Sequence, residues 1–114
     1  MLTTKLEKSA FFAGALQVTT SSNSWRVMQA TRVVRTDFVL AEGADGGNSV
    51  INIIKNGNPL DIKATATFNG SSGLVLTDAS DFDLVEGDTL QIIVPQVAPT
   101  AGTDLLVQFL YYPI

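Results

Sequence analysis

The sequence predicts an all-β fold: a single antiparallel β-sandwich, jelly-roll-like, of about eight strands. Three observations carry this. Helical three–four spacing is nearly absent, and the stretch that comes closest to it, residues 2–16, is broken by Gly14. Short runs rich in β-branched and aromatic residues recur between clusters of Gly, Asn, Asp and Ser. The closing stretch, residues 104–114, reads as one strand that is apolar on both faces. Side chains alternate along a strand, so Leu105, Val107, Phe109 and Tyr111 face one way and Leu106, Leu110 and Tyr112 the other, with Gln108 as the interruption. A two-sheet sandwich covers one face of a strand. The second face calls for another surface, which in so short a chain is a neighbouring protein.

The elements follow in order. Residues 1–23 read as an N-terminal arm or an extra edge strand, and residues 24–114 as the β-sandwich domain. A strand is expected at 16–20, then a polar loop Ser21-Ser22-Asn23-Ser24. Strands follow at 25–28 and 32–41, the latter with Val34, Phe38 and Leu40 on one face. The glycine-rich stretch 42–48 is a flexible loop. A strand at 49–55 runs into Asn56-Gly57, a strong hairpin signal because both central residues of a type I′ turn need positive φ. Past Pro59, the strand at 60–68 alternates Ala64, Ala66 and Phe68 on one side. Asn69 to Gly73 form a turn, 74–76 a short strand and 78–86 an acidic connection. Gly87-Asp88 turns the chain into a strand at 89–94 with Leu90, Ile92 and Val94 inward. A loop at 95–103 leads to the closing strand.

Composition narrows the function. At 114 residues and 46% hydrophobic the chain makes one domain with a real core. It has no cysteine and no histidine, which removes disulfides, thiolate metal sites and the commonest general base. No apolar run is long enough to cross a bilayer. Lys5 and Lys8 ahead of residues 10–16 imitate a signal peptide, with Ala13-Gly14-Ala15 as its cleavage site, but Glu7 spoils the basic start and Gly14 breaks the apolar run. Residues 1–63 hold all seven basic residues against five acids, whereas residues 64–114 hold six acids and no base; +2 and −6 give the net −4. The acidic half disfavours nucleic acid as a partner. Pairing of the two halves inside one monomer is preferred to pairing between subunits.

Candidate chemical sites are few. Asp78, Asp81, Asp83, Glu86 and Asp88 are the ligand type that calcium takes, yet their spacing fails the EF-hand pattern: counting from Asp81, the sixth position is Glu86 rather than glycine. A solvated turn is the preferred reading. Serines are plentiful, but no histidine exists to activate one. Lys55-Asn56-Gly57 lacks the rest of a phosphate loop. Trp25, Tyr111 and Tyr112 are weighed as a sugar-stacking platform and preferred as core or interface anchors. No catalytic residue, cofactor or metal ligand is assigned.

The order Ser22-Asn23-Ser24-Trp25-Arg26, then Val50-Ile51-Asn52-Ile53-Ile54-Lys55-Asn56-Gly57, then Glu86-Gly87-Asp88-Thr89-Leu90, then Ala101-Gly102-Thr103-Asp104-Leu105-Leu106-Val107 resembles small β-sandwich virion proteins of tailed bacteriophages. The resemblance covers roughly residues 24–112; each motif is ordinary turn chemistry, and it is their order and spacing that resemble the family. It implies a structural domain of a capsid surface or of a fibre or tail-tip adhesin, without catalytic residues. The expectation is a virion protein of the capsid surface: a capsid decoration (cement) protein that bridges neighbouring capsid subunits. Its partners would be the major capsid protein and copies of itself, as dimer or trimer, with neither nucleic acid nor membrane. The alternative is a receptor-binding module for a host glycan or surface protein. The expected interface residues are Leu2, Leu6, Phe11 and Phe12 of the arm and Leu106, Leu110 and Tyr112 of the closing strand.

Overall fold

The computed structural model describes residues 5–114, without the side chains of residues 19–23. Among the described residues there are nine strands: β1 (Leu6–Ala15), β2 (Thr19–Arg26), β3 (Thr31–Glu42), β4 (Ser49–Lys55), β5 (Asn58–Phe68), β6 (Val75–Asp78), β7 (Phe82–Leu84), β8 (Thr89–Gln96) and β9 (Thr103–Pro113). They form two antiparallel sheets. One has the order β1-β9-β3-β6, with β7 also pairing β3, and the other the order β2-β8-β4-β5. The strands β6 and β7 pair successive stretches of β3 and act as one interrupted strand. Counted so, each sheet has four strand positions in jelly-roll order.

The alternating apolar positions meet between the sheets. Val33, Phe38, Leu40, Leu105, Val107 and Phe109 come from the first sheet, and Ile51, Ile53, Phe68, Leu90, Ile92 and Val94 from the second. Residues 104–114 lie at the centre of the first sheet, between β1 and β3, with Leu105, Val107 and Phe109 buried. The hairpin between β4 and β5 turns at Asn56 and Gly57, whose φ angles are 54° and 70°. Gly102 is required for a second reason besides its φ of +92°: a Cβ there would meet Leu40 Cδ1 at 2.8 Å.

Four local readings change. The strand expected at 16–20 does not form as one unit: residues 16–18 link β1 to β2, and Leu16 is buried there. Val34 does not share a face with Phe38 and Leu40, because a bulge between Val33 and Arg35 shifts the alternation; Val33 and Thr36 point inward instead. The serine run 21–24 is not a loop. It belongs to β2, which pairs with β8 through a register break between Thr20 and Ser24, so tertiary pairing overrides the low strand preference of serine and asparagine. The acidic connection contains β7, where Leu84 is buried and Phe82 packs against the core while Asp83 points out. That alternation is too short to register as a period.

Candidate interaction surface

The outer face of the first sheet is organised in rows across its strands. Phe11, Leu106, Val39 and Val75 are successive ladder partners on β1, β9, β3 and β6 and form a continuous apolar row. Phe11 is 57% and Val75 60% exposed at the two ends. The next row is polar: Ser9, Gln108, Asp37 and Thr77. The Asp37 carboxylate accepts from Thr77 Oγ1 at 2.8 Å and pairs with Arg35 at 3.2 Å. Beyond it Leu110 lies between Glu7 and Arg35, and Tyr112 beside Arg32. Arg32 grips Asp83 in a two-pronged pair at 2.7 and 3.1 Å. That bond, with Tyr112 beside it, holds the guanidinium charged, and the same bond holds the Asp83 carboxyl below its ordinary range.

The expected interface residues divide. Phe11, Leu106, Leu110 and Tyr112 share this outer face. Leu6 and Phe12 pair with Tyr111 and Leu105 and therefore face inward, Phe12 packing partly against the core. Leu2 lies outside the described residues. Sequence reasoning missed Val39 and Val75. Each looks like an ordinary strand valine, and only the ladder register aligns them with Phe11 and Leu106.

The two edges of the sandwich differ. Where β5 meets β6, Asp78 accepts from the Thr65 N–H at 3.0 Å and from the Ser80 N–H at 2.9 Å, tying one sheet to the other. Between β1 and β2 a cleft of about 450 Å³ is left open. Its floor is apolar, made by Trp25, Leu90, Ile92 and Phe109, and Lys8 and Ser9 stand at its rim. Trp25 stacks on Phe109 at 5.7 Å and tilts against Tyr111 at 4.7 Å. Tyr112 is on the opposite face of the sheet, so the three aromatics make no common platform.

Three of the acidic residues, Asp78, Asp83 and Asp88, have separate structural tasks. Asp88 accepts from Asn56 Nδ2 and the Val85 N–H, and lies 3.5 Å from Lys55. Asn56 in turn accepts from the Thr89 N–H, which locks the hairpin to the turn before β8. The Asn56 bond, with those from Val85 and Lys55, holds the Asp88 carboxyl low. Among the described residues, no three acidic side chains come together as a metal site. The pairs Arg32–Asp83 and Lys55–Asp88 join the basic and acidic halves within the monomer.

Neither a family model nor a curated protein sequence matches the chain. Solved structures share its fold. A chain from the acidic stable capsid structure of Helicobacter pylori bacteriophage KHP30 superposes with a TM-score of 0.71 at 11% identity, covering 97% of this chain and 90% of that one. A chain of the cyanophage Pam1 capsid asymmetric unit gives 0.62 at 14% identity, covering 97% and 84%. The Drosophila NLP core, described for pentamer formation and histone binding, gives 0.53 at 9% identity, covering 92% and 96%. At these identities the likeness is one of fold.

Proposed function

We propose that the chain is a structural protein of a bacteriophage particle, a capsid decoration (cement) protein that sits on the outer shell and bridges neighbouring capsid subunits. The observation that carries this reading is the apolar row Phe11, Leu106, Val39 and Val75, which crosses the whole outer face of one sheet. A contiguous apolar feature with a polar row beside it is what a docking surface needs. Its setting supports the reading, since the fold is shared over nearly the whole chain with chains from two phage capsid structures. On this reading the chain performs no catalysis and needs no cofactor. Its partners are the major capsid protein and further copies of itself, and it binds neither nucleic acid nor membrane.

The test is co-sedimentation with shells assembled from the major capsid protein of the same phage. Fully burying an exposed leucine contributes about 1.5–3 kcal/mol; Leu106 is already half-buried, so docking gains part of this, and a carboxylate in its place adds a desolvation cost. Leu106→Asp should therefore weaken attachment by about tenfold or more, without loss of the folded β-sheet spectrum. Attachment indifferent to Leu106→Asp and Leu110→Asp would overturn the role of this face. Failure to bind shells, together with selective binding on a glycan array, would favour the receptor-binding alternative.

A further inference from the structure

The two sheets have four edges, and three are blunted. The β6–β7 edge is cut into pieces of four and three residues. The β5 edge carries Pro59, Asp61 and Lys63 and has its Thr65 N–H capped by Asp78. The β2 edge is broken in register between Thr20 and Ser24. These are known devices against unwanted strand pairing. The β1 edge differs. It carries the charges of Glu7 and Lys8, but it pairs with β9 without interruption from Leu6 to Phe12, has no proline, and has its irregularity only beyond Phe12. Beneath it lies the open cleft floored by Trp25, Leu90, Ile92 and Phe109. A strand added outside β1 would place every second side chain over that floor.

One residue guards this edge. Lys8 faces the cleft in mid-strand, is exposed, and makes no ion pair among the described residues. Covering it without a partner would strand a charge at a desolvated contact. An incoming strand must therefore bring a carboxylate to it. A second copy of β1 cannot. In a two-fold antiparallel ladder, residues directly opposite one another share a face, and the residues of β1 on the cleft's side of the sheet are Leu6, Lys8, Ala10 and Phe12; Glu7 points to the other side. Charge complementarity thus selects a different segment.

We propose that the β1 edge is a strand-addition site for an extended segment of another protein, with apolar side chains facing the cleft and a carboxylate opposite Lys8. This deepens the attachment reading by naming the kind of segment the partner supplies. Main-chain hydrogen bonds to β1 would provide affinity, and the cleft and Lys8 would provide register and selectivity.

The test uses the full chain and two short synthetic peptides of alternating valine and threonine, identical except for a central glutamate or lysine on the valine face. Trp25, the single tryptophan of the chain, lines the cleft and reports binding by fluorescence. The glutamate peptide should bind about tenfold more tightly than the lysine peptide, as a charge-assisted bond predicts. Lys8→Glu should reverse that order. The site is overturned if neither peptide alters Trp25 fluorescence, if the preference survives Lys8→Glu, or if the unmixed chain already forms dimers that protect its β1 amides. Shell attachment that persists in Lys8→Glu without peptide binding would remove the strand site and leave the capsid reading standing. Peptide binding without shell attachment would do the reverse.

Discussion

The two edges of the sandwich solve one problem in opposite ways. Any two-sheet sandwich leaves a seam on each side where the sheets part. At the β5–β6 seam the chain places Asp78, whose carboxylate takes hydrogen bonds from Thr65 and Ser80 and holds the sheets together. At the β1–β2 seam it leaves a cleft of about 450 Å³ with an aromatic and aliphatic floor. No side chain of β1 is fully buried, and only Ala10 and Phe12 are partly so. One seam is finished within the chain, and the other is open to something outside it.

Breaking the closed seam should have the largest effect. Asp78→Ala leaves the Thr65 and Ser80 amides without this acceptor, at a cost of about 1–2 kcal/mol, seen as a fall of several degrees in melting temperature. An unchanged melting curve would mean that the seam is held by apolar packing alone.

Acid should act on the same seam. Burial pushes the Asp78 carboxyl up, but hydrogen bonds from Ser80 and Thr65 outweigh it and hold the group below its ordinary range. A carboxyl whose folded-state pKa is lowered contributes stability above its unfolded value, about 3.9 for Asp, and loses it as pH falls through the folded value. Asp83 and Asp88 are held low as well. Melting temperature should therefore be flat from neutrality to about pH 5 and decline below about pH 4. Asp78→Asn should show a shallower decline, and identical profiles would assign the acid sensitivity elsewhere.

The open seam should tolerate far more. Deleting residues 2–9 removes the first four of the ten residues of β1 but spares Ala10 and Phe12, so the sandwich should stay folded with a small change in melting temperature while shell attachment drops sharply. Large destabilisation would show that β1 supports the core. The smallest effect is expected beside the closed seam. Thr36 of β3 is fully buried opposite Asp78, and its hydroxyl has no hydrogen-bond partner among the described residues. Thr36→Val keeps the shape and removes the unpaired oxygen, so calorimetry should find it neutral or slightly stabilising.

Much of this was legible in the chain. Asn56-Gly57, Gly87-Asp88 and the alternating strands at 49–55, 89–94 and 104–114 act locally, so the fold class, the central hairpin and the two-faced closing strand follow from periodicity and turn chemistry. What was not legible depends on distant partners. A single bulge at Val34 reverses which valine of β3 is buried, and nothing in Arg32-Val33-Val34-Arg35 announces it. Residues 21–24 belong to a strand because β8 pairs with the chain on either side of the register break, at Thr20 and at Ser24. Val39 and Val75 join Phe11 and Leu106 only through register. Asp78 looked like one acid of a solvated run, and its task appears only when β5 lies beside it.

The most direct test follows amide hydrogen exchange in the free chain and in the chain attached to shells. In the free protein the β1 amides should exchange much faster than those of β5, because β1 has no buried side chain and its outer edge is open. On attachment, protection should rise along β1 and on β9, with β4 and β5 unchanged. Protection that rises instead on the β2-β8-β4-β5 sheet, with β1 still exchanging freely, would contradict the assignment of the β1–β9 face and edge as the point of contact.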